Sequence, residues 1–305
     1  MENVIFYEDC RTGLRKLPDK SVDCCVTSPP YFGLRDYGVS EQIGLEETPE
    51  LYIAQLVEIF TEVKRILKPA GTLWVNIGDS YAGSGRGKGD VNKKGIQQKA
   101  SYVGDFVKPY RLNGYKNKDL IGVPWMLAFA LRDAGWYLRQ DIIWHKPNPM
   151  PESIKDRCTK SHEHIFLLSK SAKYHFDHLA IQTETAGTEH DKKSRKGNKT
   201  YPTELINGMR TSGGYYPNSN KRDVWTVCTE PEKEAHFACF PQKLIMDCIK
   251  AGCPENGIVL DPFMGSGTTA VVARKLNRNY VGFELNTEYK KIADAKIRRE
   301  LGIFQ

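Results

Sequence analysis

The segment I-V-L-D-P-F-M-G-S-G-T-T-A, residues 258–270, restricts the fold more than any other part of the chain. A short apolar run ends in an acid, turns through two glycines and enters a run of small residues. This is the pattern of a buried strand feeding a helix whose first backbone N–H groups face an approaching ligand. One strand later, Y-V-G-F-E-L-N (residues 280–286) ends in a second acid, Glu284, suited to accept from both hydroxyls of a ribose. A helix N-terminal acid is the alternative reading of Glu284. Phosphate is the obvious rival ligand, but a P-loop needs Lys after its last glycine, and Gly267 is followed by Thr268, Thr269 and Ala270. The dinucleotide pattern G-x-G-x-x-G lacks its third glycine, although it tolerates the Ala found there. Met264 removes the G-x-S-x-G pattern around Ser266. What remains is a nucleoside-binding half without a pyrophosphate site.

Strand and helix patterns alternate along the rest of the chain. Strands are expected at 4–7, 22–26, 72–77, 138–145, 164–169, 258–260 and 280–283. Helices are expected from Pro49 to Leu67, in P-W-M-L-A-F-A-L-R-D-A-G, in P-Q-K-L-I-M-D-C-I-K-A-G, and at 268–276 and 287–301. Such alternation predicts an α/β fold with a mostly parallel central sheet and helices on both faces. With 305 residues, 40% of them hydrophobic, the chain can bury a sizeable core. No run approaches the ~20 apolar residues of a membrane span, and M-E-N-V-I-F-Y-E-D-C does not read as a signal peptide. Eight cysteines without a C-x-x-C pair suggest a reduced, cytoplasmic protein with no zinc site.

The net charge of +7 is unevenly placed. Residues 82–118 carry nine bases against Asp90 and Asp105, and residues 183–222 carry eight bases against four acids. Both stretches interleave Gly, Asn and Tyr, which fits a surface for a polyanion better than an ordinary solvated loop. Residues 183–222 are polar enough to be an inserted recognition module.

A second motif, T-S-P-P-Y at residues 27–31, follows the apolar run V-D-C-C-V. Two prolines alone would make a stiff turn that ends a strand. Together with the glycine motif, the order of parts decides the reading. T-S-P-P-Y, followed much later by D-P-F-M-G-S-G-T-T and G-F-E-L-N, resembles the β group of DNA amino-methyltransferases. The resemblance extends to Q-D-I-I-W-H-K-P-N-P-M-P (from Gln140) and to H-F-A-C-F-P-Q-K-L (from His236), and so covers nearly the whole chain.

That resemblance implies a Rossmann-like fold dependent on S-adenosyl-L-methionine, circularly permuted, with the first strand beside the last. Residues 1–182 would be the catalytic half, 82–118 a basic insertion, 183–222 the target-recognition region and 223–305 the cofactor-binding half. It implies that Ser28 and the Pro29 carbonyl accept the two hydrogens of an exocyclic amine, that Pro30 stiffens the turn, and that Tyr31 stacks on a flipped base. Phe32 is a second stacking candidate, with an ordinary core Phe the preferred reading. Cofactor contacts fall on Asp9, Phe240, Pro241, Asp261, Pro262, Phe263, Gly265, Ser266, Gly267, Thr268 and Glu284; a turn cap is an equal reading of Asp9. Ser rather than Asp at position 28 favours cytosine N4 over adenine N6. Double-stranded DNA is the implied partner, while a homodimer and a cognate restriction endonuclease stay open. A DNA-binding protein without turnover and an RNA or protein methyltransferase are the weaker readings. The cluster S-H-E-H, residues 161–164, is expected to be structural rather than a metal site, its two histidines diverging across a strand. Lys146 is expected either at the surface or against phosphate or the target loop.

Overall fold

V-D-C-C-V-T carries apolar side chains on both of its faces, and such a run is stable between parallel neighbours that helices cover. It forms β2 (Val22–Thr27), paired in parallel with β3 (Leu67–Ile77) on one side and β9 (Ile258–Asp261) on the other. In the computed structural model, which describes residues 2–34, 36, 38–39, 41–83, 114–184, 218–230 and 240–302, eight strands form one sheet. Their order is β1-β10-β9-β2-β3-β5-β4-β8, with β1 (Val4–Phe6), β4 (Tyr137–His145), β5 (His162–Ser169), β8 (Val224–Thr226) and β10 (Asn279–Phe283) completing it. β5 runs antiparallel to β3 and β4, and every other pair is parallel. The N-terminal strand lies beside the last one, Val4 opposite Val281, as the permuted order predicts.

Strand alternation sends neighbouring residues to different helical layers. Cys25, Leu73 and Val75 join the core under α2 (Pro49–Ile66) with Leu56, Phe60 and Val63. α1 (Cys10–Lys16) and α3 (Val123–Asp133) pack on either side of α2. Cys24 and Thr72 instead meet α4 (Gln242–Gly252), where the Thr72 hydroxyl donates to the Gly252 carbonyl at 3.2 Å. α5 (Thr268–Lys275) and α6 (Tyr289–Leu301) follow α4 in that layer. Gly252 is required there, because a Cβ would stand 2.4 Å from the Trp74 indole nitrogen. α2 starts as its sequence dictates: the Thr48 hydroxyl accepts from the Leu51 N–H and Pro49 occupies the first turn. Each large apolar side chain it buries contributes about 1.5–3 kcal/mol, so packing rather than propensity holds it.

Two strands start more than one residue before their expected positions. α2 ends at Ile66, and K-P-A-G, expected to break the helix ahead of a strand at 72–77, lies inside β3, which begins at once with Leu67 opposite Val22. A register shift before the Cys24–Thr72 pair absorbs the extra residues. β5 starts at His162, two residues early, because its antiparallel partner β4 extends to His145.

Residues 177–222 form a compact unit separate from 1–176 and 223–305. Its described part holds a single helical turn, Leu179–Ile181, and the antiparallel strands β6 (Thr183–Glu184) and β7 (Asn218–Ser219). The expected recognition region 183–222 and basic stretch 82–118 otherwise lie mostly outside the described residues. Among the described residues, no helix is long and apolar enough to cross a membrane.

The sheet's connections reverse direction between β9 and β2. From β9 the chain passes through α5 to β10 on one side, and from β2 through α2 to β3 on the other. A crevice beyond the C-terminal ends of strands at such a reversal is where open α/β sheets bind ligands.

Candidate active site

Both motifs leave the sheet at that reversal, T-S-P-P-Y from β2 and D-P-F-M-G-S-G from β9. One carboxylate joins them. The Thr27 hydroxyl donates to Asp261 Oδ1 at 2.6 Å, the Thr269 hydroxyl to Oδ2 at 2.6 Å, and the Phe263 N–H to Oδ1 at 3.0 Å. Burial pushes the Asp261 carboxyl up to about 6, against the pull of Thr269, Thr27 and the Phe263 N–H. Asp261 braces the two loops from behind and does not line the cleft. Nor do Pro241 and Gly267, which precede the first residues of α4 and α5. The cleft wall does bring together Ser28, Pro29, Pro30 and Tyr31 with Asp9, Phe240, Pro262, Phe263, Gly265, Ser266, Thr268 and Glu284. Leu34, Val39, Gln42 and Ile43 add a side that the sequence did not signal.

Glu284 holds the glycine turn open. Its Oε2 accepts from the Gly265 N–H and its Oε1 from the Asn286 N–H, both at 2.8 Å. Burial pushes this carboxyl up to about 7, against those two donors. Gly265 has φ +52°, and a Cβ there would project into open space. Asp9 caps α1 by accepting from the Arg11 N–H at 2.7 Å and also grips the Arg11 guanidinium. Burial works against its ionisation, but the Arg11 bonds prevail and hold the carboxyl below its ordinary value. Arg11 is thus neutralised, and it is the single base among the described lining residues. Three lining acids, Asp9, Glu41 and Glu284, against the single base Arg11, with aromatic walls and a glycine cradle, suit a cationic nucleoside such as a sulfonium better than a phosphate.

The T-S-P-P-Y turn is clamped at its carbonyl and at its ring. The buried Tyr52 hydroxyl donates to the Pro30 carbonyl at 2.8 Å. The Tyr31 hydroxyl donates to Glu163 Oε2 at 2.7 Å and approaches Asn76 Oδ1 at 3.3 Å. Burial, then the Glu163 charge, pushes the Tyr31 phenol far above its ordinary value, with the Ser28 hydroxyl pulling the other way. Phe32 lies in the core, tilted against Tyr52 with ring centroids 5.5 Å apart.

The expected divergence of the two histidines in S-H-E-H is overturned. His162 and His164 share one face, ring centroids 5.5 Å apart, because a strand repeats every two residues. Glu163 takes the other face and reaches Tyr31. Among the described residues no cluster could hold a metal. Lys146 is neither at the open surface nor free: it pairs with Glu163 and sits 4.2 Å from the Trp144 ring centroid. Tyr52, Asn76 and Glu163 are the residues that sequence reasoning missed, since nothing in local spacing ties them to Tyr31.

Known proteins match this arrangement. Residues 22–295 match the N6/N4 DNA methylase family. The type II methyltransferase M.Cfr9I of Citrobacter freundii is 47% identical over 97% of this chain and 88% of that protein. M.SmaI of Serratia marcescens is 46% identical over 97% and 90%. Among solved structures, the cytosine-N4-specific PvuII DNA methyltransferase has a TM-score of 0.62 at 19% identity, covering 98% of this chain and 92% of its own. A Thermus thermophilus protein, described as a putative DNA modification methylase and solved in complex with S-adenosyl-L-methionine, has a TM-score of 0.60 at 21% identity, covering 98% and 95%. The chain belongs to the N6/N4 DNA methylase family and is a DNA methyltransferase.

Proposed function

We propose that this enzyme is a type II modification methyltransferase that methylates the exocyclic N4 of cytosine in double-stranded DNA. The cofactor supplies an electrophilic methyl on a sulfonium. The chain's task is to present a poor nucleophile, an amine whose lone pair is delocalised into the ring. Ser28 Oγ and the Pro29 carbonyl accept the two amino hydrogens, which favours a pyramidal nitrogen with its lone pair directed at the methyl. The two prolines, with Pro30 held by Tyr52, keep these acceptors fixed so that little reorganisation accompanies transfer. Tyr31 stacks on the base, which must leave the duplex at a cost of a few kcal/mol. Asp9, Phe240, Phe263, Ser266, Thr268 and Glu284 bind the cofactor, while Asp261, Gly267 and Pro241 set the loops that carry those contacts.

The observation that carries the base assignment is Ser28, a small uncharged acceptor, at the head of the P-P-Y turn in the cleft wall. Residues 183–222 recognise the target sequence, and the basic stretch 82–118 grips the phosphates. The affinity for DNA therefore falls steeply with salt, in proportion to the phosphates neutralised. The test is transfer of labelled methyl from S-adenosyl-L-methionine to mixed genomic DNA, followed by nucleoside analysis. N4-methylcytosine is expected. N6-methyladenine would overturn the base assignment, and DNA binding without any transfer would overturn the catalytic reading.

A further inference from the structure

We propose that Glu163 is a positioning residue for methyl transfer, fixing the Tyr31 phenol and through it the ring that meets the target base. The inference rests on the reading above that Tyr31 stacks on that base.

Glu163 stands on β5, 132 residues from Tyr31. Its Oε2 takes the Tyr31 hydroxyl at 2.7 Å and Asn76 Nδ2 at 3.2 Å, and its Oε1 takes the Lys146 ammonium. Asn76 and Lys146 are themselves anchored. Asn76 Nδ2 also donates to the His164 carbonyl at 3.1 Å, and the Lys146 N–H donates to the Ser161 carbonyl at 2.7 Å. The ring of Tyr31 rests against the end of β3, where a Cβ on Gly78 would stand 2.8 Å from Tyr31 Cε2. Lys146 and Glu163 expose only 18% and 14% of their side chains, so fixed donors rather than water hold the carboxylate.

A buried ion pair is poor evidence for stability, because desolvation consumes most of its attraction and apolar residues of similar volume fold as well. What the pair does provide is direction. A phenol held by a carboxylate oxygen at 2.7 Å, with Asn76 Oδ1 beside it at 3.3 Å, has a restricted ring orientation, and a stacking platform works only when its plane is set before the base arrives. The S-H-E-H cluster thereby acquires a role: Glu163 reaches the site, and its flanking histidines hold the opposite face of β5.

The experiment uses full-length Tyr31→Phe, Glu163→Gln and the double variant. Tyr31→Phe keeps the ring and removes the hydroxyl, while Glu163→Gln keeps the shape and removes the charge. Single-turnover methyl transfer to duplex DNA, at saturating cofactor, is expected to fall about ten- to a hundred-fold in each single variant. The double variant should be no slower than the slower single one, because both act through one contact. The cofactor dissociation constant of Glu163→Gln, measured by calorimetry, should stay within about two-fold of wild type. Wild-type rates in Glu163→Gln, multiplying losses in the double variant, or a matching loss of cofactor affinity would each overturn the proposal. A readout independent of turnover is the tyrosine Cζ carbon resonance, assigned to Tyr31 by its absence in Tyr31→Phe. It should move in Glu163→Gln at neutral pH, and a resonance that stays in place overturns the contact itself. A wild-type protein that transfers no methyl to DNA overturns the reading of function instead, and the resonance still decides whether Glu163 holds Tyr31.

Discussion

The Thr27 hydroxyl donates to Asp261 Oδ1 at 2.6 Å, joining two loops that lie 234 residues apart in the chain. Thr27 is the first residue of the T-S-P-P-Y turn and Asp261 the last of β9, so this bond sets that turn against the glycine loop that follows β9. Thr27→Val keeps the shape and removes the donor from a fully buried carboxylate. Losing a hydrogen bond to such a group costs about 1–3 kcal/mol. The urea midpoint is expected to fall with an unchanged slope, and cofactor affinity should weaken with it. Unaltered stability would mean that the loops are held in register by something other than Asp261.

Cofactor affinity should depend on pH through Glu284. Burial raises its carboxyl to about 7 from an ordinary 4.5. The protein without ligand therefore binds an extra proton relative to the unfolded chain between those values. Its contribution to stability is full below about 4.5 and is lost as pH rises through about 7. In the proposed role of Glu284, ribose hydroxyls donate to the ionised form, so binding favours loss of that proton. Calorimetry from about pH 5.5 to about pH 8.5 should find affinity rising up to about 7 and level beyond it. Glu284→Gln should bind more weakly and lose most of that dependence.

Much of this architecture is readable from residue order. V-D-C-C-V and I-V-L-D announce buried parallel strands, and the glycine turn after Asp261 announces a ligand. Glu284 and Ser28 stand out because strands and prolines fix where their side chains project. Tyr52, Asn76 and Glu163 do not stand out, because each reaches the site across the sheet or from a helix face. Tyr52 reads as one more apolar position of α2, and only its hydroxyl's contact with Pro30 gives it away. Glu163 was visible as part of a cluster, but a strand's period of two separates it from the very histidines that drew attention to it. Asp261 was legible as an acid at a strand end, while its turn inward, toward Thr27 and Thr269, depends on a neighbour from the other end of the chain.

Gly265→Ala should separate folding from cofactor binding. A residue other than glycine at φ +52° costs about 1–2 kcal/mol. The added methyl meets no protein atom within 4 Å and projects into the cleft. Stability is expected to fall by that modest amount. Cofactor affinity should fall further, by about ten-fold or more, the equivalent of about 1.4 kcal/mol of crowding. Thermal unfolding and calorimetry on the same preparation check both. An affinity that follows stability alone would place Gly265 away from the bound cofactor.

Tyr52→Phe addresses the rigidity of the T-S-P-P-Y turn, proposed above to be catalytic, without changing a residue of the cleft wall. The ring stays packed against Phe32 at 5.5 Å, and only the donor to the Pro30 carbonyl is lost. A neutral hydrogen bond of this kind contributes about 1 kcal/mol, so the fold should survive with a slightly lower denaturation midpoint. Methyl transfer should suffer more than stability, because the adjacent Pro29 carbonyl is free to swing once Pro30 is released. A ten-fold lower single-turnover rate corresponds to about 1.4 kcal/mol of lost preorganisation. The cofactor dissociation constant should not change, since Tyr52 does not line the cleft. A rate equal to wild type would show that the two prolines hold the acceptor by themselves, and that the Tyr52 hydroxyl serves only to satisfy a buried carbonyl.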